Sequence, residues 1–232
     1  MKNRPRARMF PISILLASVV CFSPVLGSAG PKTHGVDAAH REKVEWTWSD
    51  RSDTIDPALP NILLLGDSIT RAYFPEVAKK LAGKANVYLF ATSCSAGDPR
   101  LPGQLRDYFR YDPSFTVIHF NNGMHGWAYT ESQFAAALPE MVRTIRKAQP
   151  ASRLIWATIT PVRRDDPSAA TNARIDARNA AALKIMSHEG IAIDDQHSLM
   201  VPHSDLHADD VHFNEEGSNL QGDQAAASTQ RD

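Results

Sequence analysis

The sequence predicts an α/β fold, layered α/β/α around a central parallel sheet of five strands. Two observations carry this. Short continuous apolar runs recur along the chain, bounded by glycine or polar residues, as expected of strands buried on both faces. Between them lie segments whose apolar residues recur at helical spacing, and strands that alternate with helices imply right-handed parallel crossovers.

The first run is Ile62-Leu63-Leu64-Leu65, stopped by Gly66. Further runs occupy residues 87–91, 115–120, 154–159 and, more weakly, 191–193. Among the helical segments, residues 131–147 place Phe134, Leu138, Met141, Val142 and Ile145 on one face, with Pro139 as the one discordant residue. The alanine-rich segment 172–188 turns Ile175, Leu183 and Met186 inward and ends before Gly190. Asn214, followed by Glu215 and Glu216, has the chemistry of a helix start.

The beginning of the chain is different. Lys2, Arg4, Arg6 and Arg8 precede an apolar run over residues 9–22, and small residues follow at Gly27, Ser28 and Ala29. That order is the layout of a secretory signal peptide, expected to span residues 1–29 with cleavage near Ala29. The run is shorter than the roughly 20 residues that span a bilayer, and no later stretch approaches that length, so no stable membrane insertion is expected after cleavage. Val20 stands where a lipobox before Cys21 would need a small residue. Residues 30–58 lack sustained periodicity and read as a lead-in that packs over the domain at 59–232.

Lys and Arg number 25 against 26 Asp and Glu. A leader ending at residue 29 would take four cations and no carboxylate with it, leaving a net charge of −5. Such a balance gives no basic surface for nucleic acid. Cys94 would remain as the only thiol, so no intramolecular disulfide is possible after cleavage.

In a parallel α/β sheet, sites gather beyond the carboxyl ends of the strands. The first strand ends in Gly66-Asp67-Ser68-Ile69-Thr70. A serine there is either a nucleophile facing the helix amides or an ordinary N-cap. Near the other end, His207-Ala208-Asp209-Asp210-Val211-His212 offers an imidazole and a carboxylate to orient it, which a serine hydroxyl needs in order to attack. The same His and Asp residues are possible metal ligands, but they lack a helix to align them and a third zinc-type site.

The two blocks together, in this order, resemble the SGNH/GDSL hydrolase superfamily over residues from about 60 to 220. The resemblance implies a flavodoxin-like three-layer domain and a serine esterase with no metal or cofactor. In it Ser68 is the nucleophile, His212 the general base and then acid, and Asp209 the residue that orients His212. It also implies an oxyanion hole built from Ser68 and two middle blocks. In the second block Gly97 is the matching glycine, although counting from the strand end points to Cys94 or Ser95. The third block departs from the usual Gly-x-Asn-Asp, because Asn121-Asn122-Gly123-Met124-His125 puts His125 at the asparagine position. Asn121 or Asn122 is the alternative donor.

Export and the resemblance together lead to an expected small-molecule or glycan ester substrate, acetylated carbohydrate first and lipid esters second. The other class is a non-catalytic carbohydrate-binding relative. Several residues have two readings. Cys94 is an inert thiol near the site unless it has a base of its own. His119 alternates with apolar neighbours and reads as a core histidine. Trp46, Trp48 and Trp127 are either packing residues or a platform for a sugar ring. Arg163 and Arg164 either contact substrate or lie in a solvated loop.

Overall fold

A computed structural model describes residues 40–231. The expected leader, its cleavage point and Cys21 lie outside them. The elements, in chain order, are β1 (Thr47–Arg51), β2 (Asn61–Gly66), α1 (Ser68–Lys80), β3 (Asn86–Thr92), α2 (Leu101–Tyr111), β4 (Val117–Phe120), α3 (Glu131–Ala148), β5 (Arg153–Ala157), α4 (Asn172–His188), β6 (Ala192–Asp194), α5 (Gln196–Met200) and α6 (Glu215–Thr229). A 3₁₀ turn, Ser204–Leu206, lies between the last two.

The five expected strands form a parallel sheet in the order β3-β2-β4-β5-β6. Beyond β3 the sheet carries a sixth strand that the apolar pattern does not reveal. It is β1, from the lead-in, and it runs antiparallel with Thr47 opposite Thr92 and Arg51 opposite Tyr88. All five of its residues are exposed, so backbone hydrogen bonds rather than buried side chains hold it, and burial periodicity has nothing to report. The sheet is therefore mixed and six-stranded, not purely parallel and five-stranded.

Leu63, Leu64 and Leu65 are fully buried, each contributing roughly 1.5–3 kcal/mol by removal from water. Helices α1 and α6 cover one face of the sheet, and α2, α3 and α4 the other. Caps define the helix starts. Thr130 and Gln133 form a capping box on α3, Thr171 caps α4 and Asn214 caps α6. His119 is a core histidine, fully buried, with Nε2 at 2.7 Å from Asp194 Oδ2; Gln196 and Gln224 donate to the same carboxylate. Among the described residues no helix is long and apolar enough to cross a membrane.

Two features bring the carboxyl ends of the strands together with the last loop. Because β2 lies between β3 and β4, the segments following these three strands are neighbours at one end of the sheet. The pairing of α6 with α1 brings the loop before α6 to the same place. Gly222 permits that approach, since a Cβ there would stand 2.8 Å from Glu76 Cβ and 3.0 Å from the Tyr73 carbonyl oxygen.

After β4 the chain turns sharply at Gly123, whose φ is +145° and whose added Cβ would fall 2.3 Å from Ile159 Cδ1. Gly123→Ala is therefore expected to cost about 3 kcal/mol, from positive-φ strain and overpacking together, read as a lower midpoint in denaturant unfolding with an unchanged slope.

Candidate active site

The first turn of α1 separates two roles that the sequence leaves merged. Asp67 is the N-cap, its Oδ1 accepting the Ile69 N–H at 2.9 Å, and Ser68 is the first helical residue. The Ser68 hydroxyl is thereby left free for another partner. It lies 2.8 Å from His212 Nε2, a contact that spans 144 residues. His212 Nδ1 lies 2.9 Å from Asp209 Oδ2, and Asp209 Oδ1 accepts the N–H groups of Val211 and His212, both at 2.7 Å. Burial pushes the Asp209 carboxyl up, but these N–H donors and the imidazole outweigh it and bring it down to about 2.

The other polar groups of the His212 loop face elsewhere. His207 puts its ring nitrogens against the carbonyls of Ser204 and Pro161 and lies on the Phe213 ring. Asp210 pairs with Arg163 and Arg164, which joins this loop to the segment after β5. The four candidate metal ligands thus do not converge. Arg163 and Arg164 make no contact with the Ser68 line; they are 46% and 75% exposed, in a solvated loop, and pair with Asp210 there.

The loop after β3 approaches from one side. Its N–H groups are mostly occupied: Ser93 by the Trp46 carbonyl, Cys94 by Thr92 Oγ1, Ala96 by Asn122 Oδ1 and Asp98 by the Ser95 carbonyl. The Gly97 N–H is directed at Ser95 Oγ, 3.4 Å away. Among the described residues the Ser95 N–H has no partner, and neither has that of Ser68. Burial, followed by the nearby Asp98 charge, pushes the Cys94 thiol up to about 12, so it is a poor nucleophile.

The loop after β4 approaches from the other side. Asn121 donates to the Ala157 carbonyl at 2.7 Å, and Asn122 donates to the Cys94 carbonyl at 3.0 Å. Both asparagine side chains thus tie backbone segments together. His125 is different: Nδ1 meets the Glu42 carboxylate at 2.9 and 3.1 Å, while Nε2 is buried without a partner among the described residues.

A hydrogen-bonded Ser-His-Asp line lies at the carboxyl end of a mostly parallel sheet, and the sequence matches the GDSL-like Lipase/Acylhydrolase family over residues 64–220. The chain belongs to this family. Similar solved structures include a lipolytic protein of the G-D-S-L family from Veillonella parvula, at 20% identity and a TM-score of 0.60, covering 74% of this chain and 98% of that one. A carbohydrate esterase family 3 protein from Talaromyces cellulolyticus is 17% identical with a TM-score of 0.60, covering 74% and 96%. A carbohydrate acetylesterase from Sinorhizobium meliloti is 11% identical with a TM-score of 0.62, covering 73% and 98%. At these identities the likeness is one of fold. No curated protein sequence matches the chain.

In this family member the site is completed by residues with no local sequence signal. Residues 40–51 form a strap along the two loops. The His40 N–H donates to Tyr129 Oη, Trp46 and Ser93 exchange hydrogen bonds, and Glu45 takes both terminal nitrogens of Arg100 at 2.6 and 2.7 Å. On the far side, the fully buried Arg178 of α4 donates to the carbonyls of Gly123, His125, Gly126 and Tyr129 at 2.6–3.2 Å. Its guanidinium also lies 3.9 Å from the Trp127 ring centre, and Arg71 lies 3.6 Å from that of Trp48. These rings pack on cations, and Trp46 meets His125 edge-on.

Removing Arg178 would leave several buried carbonyls without donors. Arg178→Leu is expected to lower stability by about 3 kcal/mol or more, measured by chemical denaturation.

Proposed function

We propose that this protein is an exported serine esterase that cleaves short O-acyl esters, acetyl groups on carbohydrate foremost, through an acyl-enzyme. The observation that carries this is the line from Ser68 Oγ to His212 Nε2 and from His212 Nδ1 to Asp209. A serine hydroxyl is a weak nucleophile until a positioned base takes its proton, and an ionised carboxylate fixes the imidazole in the tautomer able to do so.

The reaction then runs in two halves. Ser68 Oγ bonds to the ester carbonyl carbon as its proton passes to His212, and charge builds on the carbonyl oxygen. Collapse breaks the ester C–O bond, and His212 returns the proton to the departing alcohol. Water repeats the sequence on the acyl-enzyme, releasing the acid and restoring Ser68.

Three donors are assigned to the oxyanion: the Ser68 N–H at the start of α1, the Ser95 N–H, and His125. Ser95 replaces Gly97 in this role because the Gly97 N–H already faces Ser95 Oγ. His125 is preferred to Asn121 because the Asn121 amide is engaged by Ala157.

His212 and Asp209 are open to solvent, at 42% and 59% side-chain exposure, which leaves room for a bulky alcohol such as a glycan. Two of the fold relatives are described as a carbohydrate esterase and a carbohydrate acetylesterase.

Purified protein is expected to release acetate from acetylated glycans or short aryl esters and to slow sharply as the acyl chain lengthens. Ser68→Ala and His212→Ala should lose essentially all of this activity, Asp209→Asn about 10³–10⁴-fold, and His125→Ala about 10²-fold in kcat. Wild type no faster than Ser68→Ala on such a panel would favour a non-catalytic carbohydrate binder. Export is tested separately, by mass spectrometry of the protein secreted by an expressing cell, where the expected N-terminus lies near Gly30.

A further inference from the structure

His125 has two ring nitrogens in unequal surroundings. Nδ1 lies against Glu42, whose Oε1 also accepts the Gly126 N–H at 3.0 Å. An ionised carboxylate only accepts hydrogen bonds, so Nδ1 must carry a proton. In a neutral ring Nε2 would then be a bare lone pair and could not serve an oxyanion. Only the doubly protonated ring donates from both nitrogens.

The charged groups around the ring favour that form. Burial opposes protonation, but the hydrogen bond to Glu42 and the charges of Asp67 and Glu42 outweigh it and raise His125 above the ordinary histidine value. The buried Arg178 guanidinium is directed at the His125 carbonyl, 3.0 Å away, rather than at the ring. The edge-on Trp46 ring closes a further side.

We propose that Glu42 is a positioning residue of the oxyanion hole, holding His125 by Nδ1 as an imidazolium so that Nε2–H serves the developing negative charge. This rests on the esterase reading above. It makes a segment outside the family match, residues 40–51, part of the machinery. It also gives the site two histidines with opposite requirements, since His212 must begin neutral and His125 charged.

The sign of the pH dependence follows. A histidine raised by a carboxylate keeps its donor below its own pKa and loses it as pH rises through that value, so Glu42 sets the alkaline limb of kcat. Glu42→Gln preserves length and an acceptor for Nδ1–H but removes the charge. It is expected to move the alkaline limb down by about one pH unit, a loss of about tenfold in kcat on that limb, with KM little changed. His125→Gln supplies an amide N–H that does not titrate, and is expected to be slower at neutral pH yet to lose the alkaline fall.

NMR titration of the His125 ring in wild type and Glu42→Gln reads the same proton without turnover. A merely structural Glu42 would change the melting temperature and leave both the limb and the titration where they were. Ser68-dependent activity with an unmoved alkaline limb in Glu42→Gln, or a His125 ring already neutral at pH 7 in wild type, overturns the proposal. Wild type no faster than Ser68→Ala brings down the esterase reading and the catalytic part of this one, while the titration still decides whether Glu42 holds the proton.

Discussion

Burying the Arg178 guanidinium constrains the turn on which one side of the site stands. Taking a cation out of water costs several kcal/mol unless its donors are satisfied. Burial, then the neighbouring Arg174, lowers its pKa to about 10, which records that strain. The compensation is four backbone carbonyls between Gly123 and Tyr129 and the face of Trp127. Arg174 reinforces the arrangement, donating to the carbonyls of Trp127 and Tyr129 and pairing with Glu131. A loop with four carbonyls held by one buried cation and two by its neighbour has little freedom left. His125 inherits that rigidity, and in the proposed oxyanion hole a rigid donor would need no reorganisation as charge develops.

The opposite side is held by charge of the other sign. Glu45 binds Arg100, which in turn pairs with Asp98, so the strap and the loop after β3 share one ion network. Hydrogen bonds from Arg100 and Arg41 bring Glu45 down to about 2, so the network stays charged well into acid. Its Arg100–Glu45 pair is solvent-facing and individually weak, whereas Asp98 is buried. Its effect is registry: with Trp46 bonded to Ser93 and β1 paired to β3, it sets Glu42 opposite His125.

Legibility in the sequence followed burial and chain distance. The run Ile62–Leu65 and the amphipathic face of α3 are patterns created by burial, and burial is what places them. β1 is fully exposed and leaves no such pattern. Ser68, Asp209 and His212 stand in two short blocks whose spacing is itself chemical: the loop that lets Asp209 accept the His212 N–H also brings the two side chains together. Glu42 and Arg178 act on His125 across 83 and 53 residues, and neither stands in a motif. In the proposed oxyanion hole, the preference for Ser95 over Gly97 rests on which N–H the loop after β3 leaves unpaired, and Asn122, from the loop after β4, takes that of Ala96.

Two histidine–carboxylate pairs thus meet at one site with nearly the same geometry, Nδ1 at 2.9 Å from a carboxylate oxygen in each. What separates them is access to water. His212 and Asp209 are 42% and 59% exposed, His125 and Glu42 20% and 34%. In the proposed reaction, a base that takes a proton from serine, gives it to a leaving alcohol and takes another from water benefits from an open position beside its substrates. In the proposed oxyanion hole, a donor that holds its proton through the whole cycle benefits from the reverse: Nε2 shielded, the counter-charge fixed at Nδ1 and the backbone tied down by Arg178. The same pair of groups can therefore shuttle a proton or keep one, according to which loop carries it and what covers that loop.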